Sequence, residues 1–158
     1  MSSKLRSILV EIISAVFILV FLYAAVSKLA DHDQFASTLA KSPLLHRISP
    51  ILSWVLPFIE IIISAFLLLP ISKRLGLFLS LILMTIFTFY IAHMLLFSSD
   101  LPCSCGGVLT GLGWKKHLVF NIILTILAIV GWRLASKNKV FIAINRISRT
   151  PVEDSRHY

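Results

Sequence analysis

Apolar residues fill four runs of this chain, at positions 8–29, 51–69, 75–97 and 117–135, and polar residues crowd the stretches between them. Each run approaches the roughly 20 residues that a helix rising about 1.5 Å per residue needs to cross a hydrocarbon core of about 30 Å. Alternation with a period of two is absent, so the pattern gives no support to a transmembrane β-barrel. The expected fold class is all-α, an integral membrane four-helix bundle. Lys4 and Arg6 precede the first run, and Ala24, Ala25 and Val26 place small residues near its end, as a secretory leader would. The run is longer than an h-region of about 7 to 15 residues and no A-x-A site follows it, so an uncleaved helix is expected.

Composition points the same way. Of 158 residues 58% are hydrophobic and 14% charged, whereas a soluble domain carries about a quarter charged residues. Disorder is excluded by the same figures, and no segment outside the runs is long enough to bury a core of its own. The formal net charge of +8 would in a soluble protein direct attention to nucleic acid, but its distribution gives a different explanation. Lys4, Arg6, Lys73, Arg74, Arg133, Lys137, Lys139, Arg146, Arg149 and Arg156 fall on one side of the four runs, against Lys28, Lys41, Arg47, Lys115 and Lys116 on the other. Cytoplasmic loops retain the positive charges. The count of ten against five therefore predicts cytoplasmic termini, a cytoplasmic turn near Ser72, and outer loops at 30–50 and 98–116 on the periplasmic or extracellular face of an inner (plasma) membrane. The lipid bilayer is the partner this charge serves, and no nucleic acid is needed.

Within the first outer loop, Phe35, Leu39, Leu44 and Leu45 recur at helical spacing, which predicts a short interfacial helix. A four-span membrane domain over 1–135 is expected to be followed by a basic cytoplasmic tail over 136–158. There Phe141, Ile144 and Ile147 alternate with Lys137, Lys139, Arg146 and Arg149 in a pattern suited to anionic lipid.

The chain has two cysteines, Cys103 and Cys105, in Leu101-Pro102-Cys103-Ser104-Cys105-Gly106-Gly107 of the second outer loop. On the expected orientation they face an oxidising compartment, where a disulfide persists. In an extended strand the Cα atoms of a Cys-x-Cys pair lie near or beyond the upper limit of about 6.8 Å for a bridge. The chain must turn to close it, and Pro102 with Gly106-Gly107 are residue types that allow this. A strained bond has a raised reduction potential and suits exchange chemistry. As a staple it would add little, because closing one intervening residue removes little unfolded-chain entropy. A Zn or Cu(I) site made with His117 or His93 is a further alternative, although Cys-x-Cys is not the usual Cys-x2-Cys spacing.

Polar groups inside the runs are the second signal, since an intramembrane ionisable residue costs several kcal/mol unless it is paired or hydrated. Glu60 lies near the midplane, three residues after Pro57, with Thr85 and Thr88 of the third run at compatible depth for a hydrogen bond. A structural hydrogen bond and a proton or quinone role both remain open for it. Glu11 sits at the inner boundary, where snorkelling explains it. Tyr23, Ser27, Lys28, Tyr90, His93, His117 and Asn121 all belong to the outer half by depth, with His117 and Asn121 at i, i+4 and Tyr90 and His93 at i, i+3. Trp114 marks the outer interface. Each alone is ordinary at a membrane boundary. Together they form a polar, aromatic belt beneath the Cys loop, in which a base can lower a thiol pKa and rings can hold a quinone.

The order Tyr23, Ser27-Lys28-Leu29, Asp31, Phe35, then Pro57-x-x-Glu60, Lys73-Arg74, and a Cys-x-Cys-Gly loop followed by Trp114-x-x-His117-x-x-x-Asn121 resembles the MauE/DoxX group of small membrane proteins, and the MauE type most closely. The resemblance covers all four runs, residues 8–135. It implies a redox-associated, four-helix membrane protein that assists maturation of an exported, disulfide-rich enzyme subunit, with Cys103 and Cys105 as the thiol pair and Glu60 as the buried carboxylate. Here Gly106 follows Cys105 directly, where the MauE loop usually has an aromatic residue first.

The expected function is thus thiol–disulfide exchange with an exported thiol or disulfide-containing protein, with a link to methylamine metabolism following from the resemblance. Cys103, Cys105, His117 and Glu60 are the candidate catalytic residues, and Tyr23, Lys28, Tyr90, His93, Trp114 and Asn121 the candidate cofactor-binding ones. No cofactor is required by the residues; a quinone is the one they would suit. A metal-handling protein and a non-catalytic scaffold for a maturation partner are the alternatives.

Overall fold

The computed structural model describes residues 3–41, 45–97 and 114–147, and these form five helices: α1 (Ser3–Ala30), α2 (His32–Ala40), α3 (Ser49–Leu68), α4 (Lys73–Phe97) and α5 (Trp114–Ile147). Of these, α1, α3, α4 and α5 are long and apolar enough to cross a membrane. This is the all-α bundle that the four runs specify. α1 packs beside α3 and α5, and α4 beside the same two, so α3 and α5 take opposite corners. A short turn over 69–72 joins α3 to α4, and α2 lies at the end where α1 finishes and α3 begins.

The local sequence explains the elements. Pro50 occupies the first turn of α3, where its missing N–H costs nothing. Pro57 lies inside α3, and the helix continues through it. At the other end of the bundle α3 and α4 meet closely at Gly76, where an added Cβ would lie 2.9 Å from Leu67 side-chain carbons and 3.0 Å from the Leu67 backbone nitrogen. Gly131 plays the same part in α5, with the Ile13 Cγ2 methyl at 2.8 Å from its ideal Cβ and the Leu77 Cδ2 methyl at 3.1 Å. Small residues at helix crossings are the usual device in a bilayer, where lipid is as apolar as leucine and close packing must supply the association energy.

Phe17, Phe21, Leu67, Leu77 and Met94 fill the centre, and Ser14, Ser53, Ser64 and Ser80 are fully buried with them. Ser14, Ser64 and Ser80 each donate to a carbonyl one turn earlier, at 2.8, 2.9 and 2.8 Å, and Ser53 donates to the Pro50 carbonyl at 3.0 Å. Their hydroxyls are satisfied within their own helices and demand nothing of the neighbours. The outward side chains are aliphatic and aromatic, including Leu19, Ile51, Phe89 and Leu96, as a surface in contact with lipid requires.

The short helix expected in the first loop is present as α2. Its apolar residues Phe35 and Leu39 are buried in the core cluster, and α2 packs on α3 and α1 rather than lying open to lipid. Leu45 packs against the same cluster, while Leu44 lies outside the described residues. α5 runs without a break past residue 135 to Ile147. A single helix therefore joins the last apolar run to the basic segment that follows.

Candidate functional site

The end of the bundle covered by α2 holds a buried ion pair between two membrane helices. Lys28, in the last turn of α1, turns its stem inward along the bundle, and its Nζ donates to Glu60 Oε1 of α3 at 2.6 Å. The Lys28 side chain is 12% exposed and that of Glu60 1%, so the carboxylate is cut off from solvent and the ammonium nearly so. A carboxylate in apolar surroundings persists only with a partner. Here it has a partner on one oxygen: Glu60 Oε2 is buried with no hydrogen bond among the described residues.

This corrects one expectation. Thr85 and Thr88 do not reach Glu60: their Oγ1 atoms donate to the Leu81 and Met84 carbonyls, each at 2.7 Å, and Thr88 Oγ1 also lies 3.1 Å from Thr125 Oγ1 of α5. A hydroxyl on a helix bonds readily to the carbonyl one turn back, whereas a cation from α1 answers the charge itself.

Phe35 and His117 lie near Lys28, and a polar line runs on from His117 along α5. The Phe35 ring, supplied by α2, lies with its centroid 5.8 Å from Lys28 Nζ, a cation–π arrangement. His117, half-buried in the first turn of α5, is near enough for the Lys28 charge to act on its imidazole. Asn121, one turn further along α5, is buried and donates from Nδ2 to the His117 carbonyl at 3.0 Å. Thr125 continues this line, donating to the Asn121 carbonyl at 2.8 Å. On the α2 side, His32 lies against Trp54 with ring centroids 4.2 Å apart, and its Nε2 is buried without a partner among the described residues.

Among the residues singled out by depth, Lys28 and His117 thus lie in one region of the bundle with Glu60, and Asn121 follows His117 one turn along α5. Tyr23 does not share it: it is 55% exposed on the outer side of α1. Five residues separate it from Lys28, which on a helix is about 140° of rotation. Tyr90 is half-buried and His93 exposed at the same end of α4. Trp114 is the first residue of α5, with its side chain outside the described set. Cys103 and Cys105 lie outside the described residues altogether. By chain connection their segment leaves α4 at Phe97 and rejoins α5 at Trp114, three residues before His117.

The model of the methylamine utilisation protein MauE family matches residues 6–134, from the start of α1 into the last part of the membrane-spanning stretch of α5. The chain belongs to the MauE family. No curated protein and no solved structure matches it. The matched segment includes the Lys28–Glu60 pair, Phe35, His117, Asn121 and both cysteines, so the polar cluster lies inside the family domain. As a MauE-family chain with four long apolar helices, this is a multi-pass membrane protein related to methylamine utilisation.

His32 and Trp54 were not singled out by sequence. Nothing in the spacing of Asp31-His32-Asp33 marks a buried ring contact. The Lys28–Glu60 pairing had a signal: Lys28 and Glu60 are charges of opposite sign in successive apolar runs, and two adjacent antiparallel helices allow them to meet.

Proposed function

We propose that this MauE-family protein is a thiol–disulfide redox protein of the inner membrane, with its Cys103–Cys105 loop on the periplasmic or extracellular side and an exported protein as its partner. The observation that carries the proposal is the buried, partly unsatisfied Lys28–Glu60 pair beside His117. It lies at the end of the bundle from which the cysteine-bearing segment departs. On this reading these groups handle the protons of the two thiols. From Phe97 to Cys105 and from Cys105 to Trp114 are eight and nine residues, spans of up to about 30 Å when extended, so the chain has the reach to bring a thiol to His117.

The chemistry is exchange. A thiolate of the exported protein attacks the Cys103–Cys105 disulfide, forming a mixed disulfide as the original S–S bond breaks. The partner's second thiolate displaces the remaining cysteine. The partner leaves as a disulfide, and Cys103 and Cys105 hold the two electrons as a dithiol with the two protons. His117 exchanges the thiol proton, and the Lys28–Glu60 pair provides fixed charges of both signs next to it. Re-oxidation sends two electrons and two protons from the dithiol to an acceptor, for which a quinone is the proposed class. The family is described by methylamine utilisation, and the exported partner is proposed to belong to that metabolism.

The test is alkylation of the intact protein in membranes with a mass-tagged thiol reagent, before and after mild reduction. Two tags gained only after reduction, and loss of disulfide transfer in Cys103→Ser and Cys105→Ser, are expected. Free thiols protected by zinc or copper would replace this reading by metal handling. A bond resistant to every mild reductant would replace it by an inert scaffold.

A further inference from the structure

At the end of the bundle away from α2, the α3–α4 turn and α5 enclose an open groove of about 330 Å³, lined by Ile71, Arg74, Leu75, Phe78 and Trp132. Arg74 is the one charged residue among the five that line it. Phe78 and Trp132 form a tilted ring pair, centroids 5.6 Å apart. Ile71 is 89% exposed, and Leu75 and Phe78 are also open on the outer side. Arg74 stands one helical turn before Phe78, so the groove runs from a charged rim to an aromatic wall over about 6 Å.

The two adjacent cations of the turn are used differently. Lys73 Nζ donates to both carboxylate oxygens of Glu11 at 2.6 Å. Arg74 is exposed and has no ion-pair or hydrogen-bond partner among the described residues. Glu11 is the one acid carried by the described parts of α1, α4 and α5, and Lys73 engages it. The protein thus leaves an uncompensated guanidinium at the mouth of an apolar groove on two membrane-spanning helices. What surrounds those helices is lipid, and the chemistry that complements the groove is a phosphodiester joined to a hydrocarbon chain. Guanidinium matches phosphate oxygens with parallel N–H donors, and an indole is suited to the headgroup boundary.

We propose that this groove is a binding site for an anionic glycerophospholipid, its phosphate on Arg74 and the first part of an acyl chain against Leu75, Phe78 and Trp132. A zwitterionic lipid offers the same phosphate but brings a cation of its own toward Arg74, so the anionic class is preferred. The site is independent of the cysteine chemistry and lies at the opposite end of the bundle.

The full-length protein in mild detergent, given equimolar phosphatidylglycerol and phosphatidylcholine of identical acyl chains, tests this by native mass spectrometry of the retained lipid. The wild type is expected to retain phosphatidylglycerol preferentially. Arg74→Gln is expected to lower that preference about fivefold, the size of one basic residue acting at an anionic surface. Arg133→Gln, which removes an exposed cation next to Trp132 but outside the groove lining, should leave the preference intact. Equal retention of the two lipids by the wild type, an unchanged preference in Arg74→Gln, or an equal loss in Arg133→Gln would each overturn the site in favour of general surface charge.

Discussion

Removing Lys28 should be more damaging than removing Glu60, although the two form one ion pair. The Glu60 side chain is 1% exposed and its Oε1 has Lys28 Nζ at 2.6 Å, while Oε2 already lacks a partner among the described residues. Lys28→Met therefore leaves a carboxylate with neither oxygen satisfied in a helix interior, a change that costs about 3–5 kcal/mol when a buried pair is broken this way. Glu60→Gln leaves the opposite group stranded, but on a different tether. Lys28 is in the last turn of α1, and a four-carbon stem can swing its ammonium toward the boundary. Its cost should be that of one charge-assisted hydrogen bond, about 1.5–3 kcal/mol. Lys28→Met/Glu60→Leu removes both charges and fills the space with apolar atoms, and should lie within about 1 kcal/mol of the wild type or above it. Denaturant unfolding of the four proteins in one detergent measures all three differences. The reasoning fails if Glu60→Gln is the costlier single change, or if the double variant loses the sum of the two singles, since additivity would mean that the groups do not interact.

Gly76→Ala should destabilise by about 1–3 kcal/mol in the same assay, because the new methyl meets both the side chain and the backbone nitrogen of Leu67. Glu11→Gln should cost under about 1 kcal/mol, since the Glu11 side chain is 63% exposed and solvent screens its pair with Lys73. Thr125→Val breaks the hydroxyl contact with Thr88 and should cost about 0.6 kcal/mol, the average for interhelical hydrogen bonds in a membrane protein. Glu60→Gln also separates structure from chemistry: if thiol exchange falls while the folded fraction is unchanged, the carboxylate serves the reaction, and if both are unchanged it has no special role.

How much of this was legible in the sequence depended on which physical pattern carried it. Crossing a bilayer needs a long apolar run, so α1, α3, α4 and α5 were each written in composition, and the small amphipathic pattern around Phe35 and Leu39 was enough to place α2. What covers α2's apolar side was not legible, because an amphipathic helix reads the same whether it rests on lipid or on protein. Depth along a helix follows from residue counting, so Lys28, His117 and Asn121 could be grouped in the outer half and Glu60 placed near the midplane. Rotation about a helix relative to its neighbours depends on which helices pack, and Tyr23 shows the consequence: right level, outward face. The Glu60 partner was missed for a related reason. Thr85 and Thr88 matched its depth, whereas Lys28 starts much nearer the end of its helix and reaches Glu60 by the length of its side chain, which counting Cα positions does not include. The Arg74 groove depends on Lys73 being engaged by Glu11 from a distant part of the chain, a contact between residues 62 positions apart.

The most direct test of the proposed redox function is the reduction potential of the Cys103/Cys105 pair, measured by equilibrating membranes in graded glutathione redox buffers and counting mass-tagged thiols. A strained, exchange-competent pair should titrate as a two-electron couple well above the roughly −300 mV below which structural disulfides lie. A pair that stays oxidised until below about −300 mV, or thiols that never form a disulfide across the whole series, would contradict it.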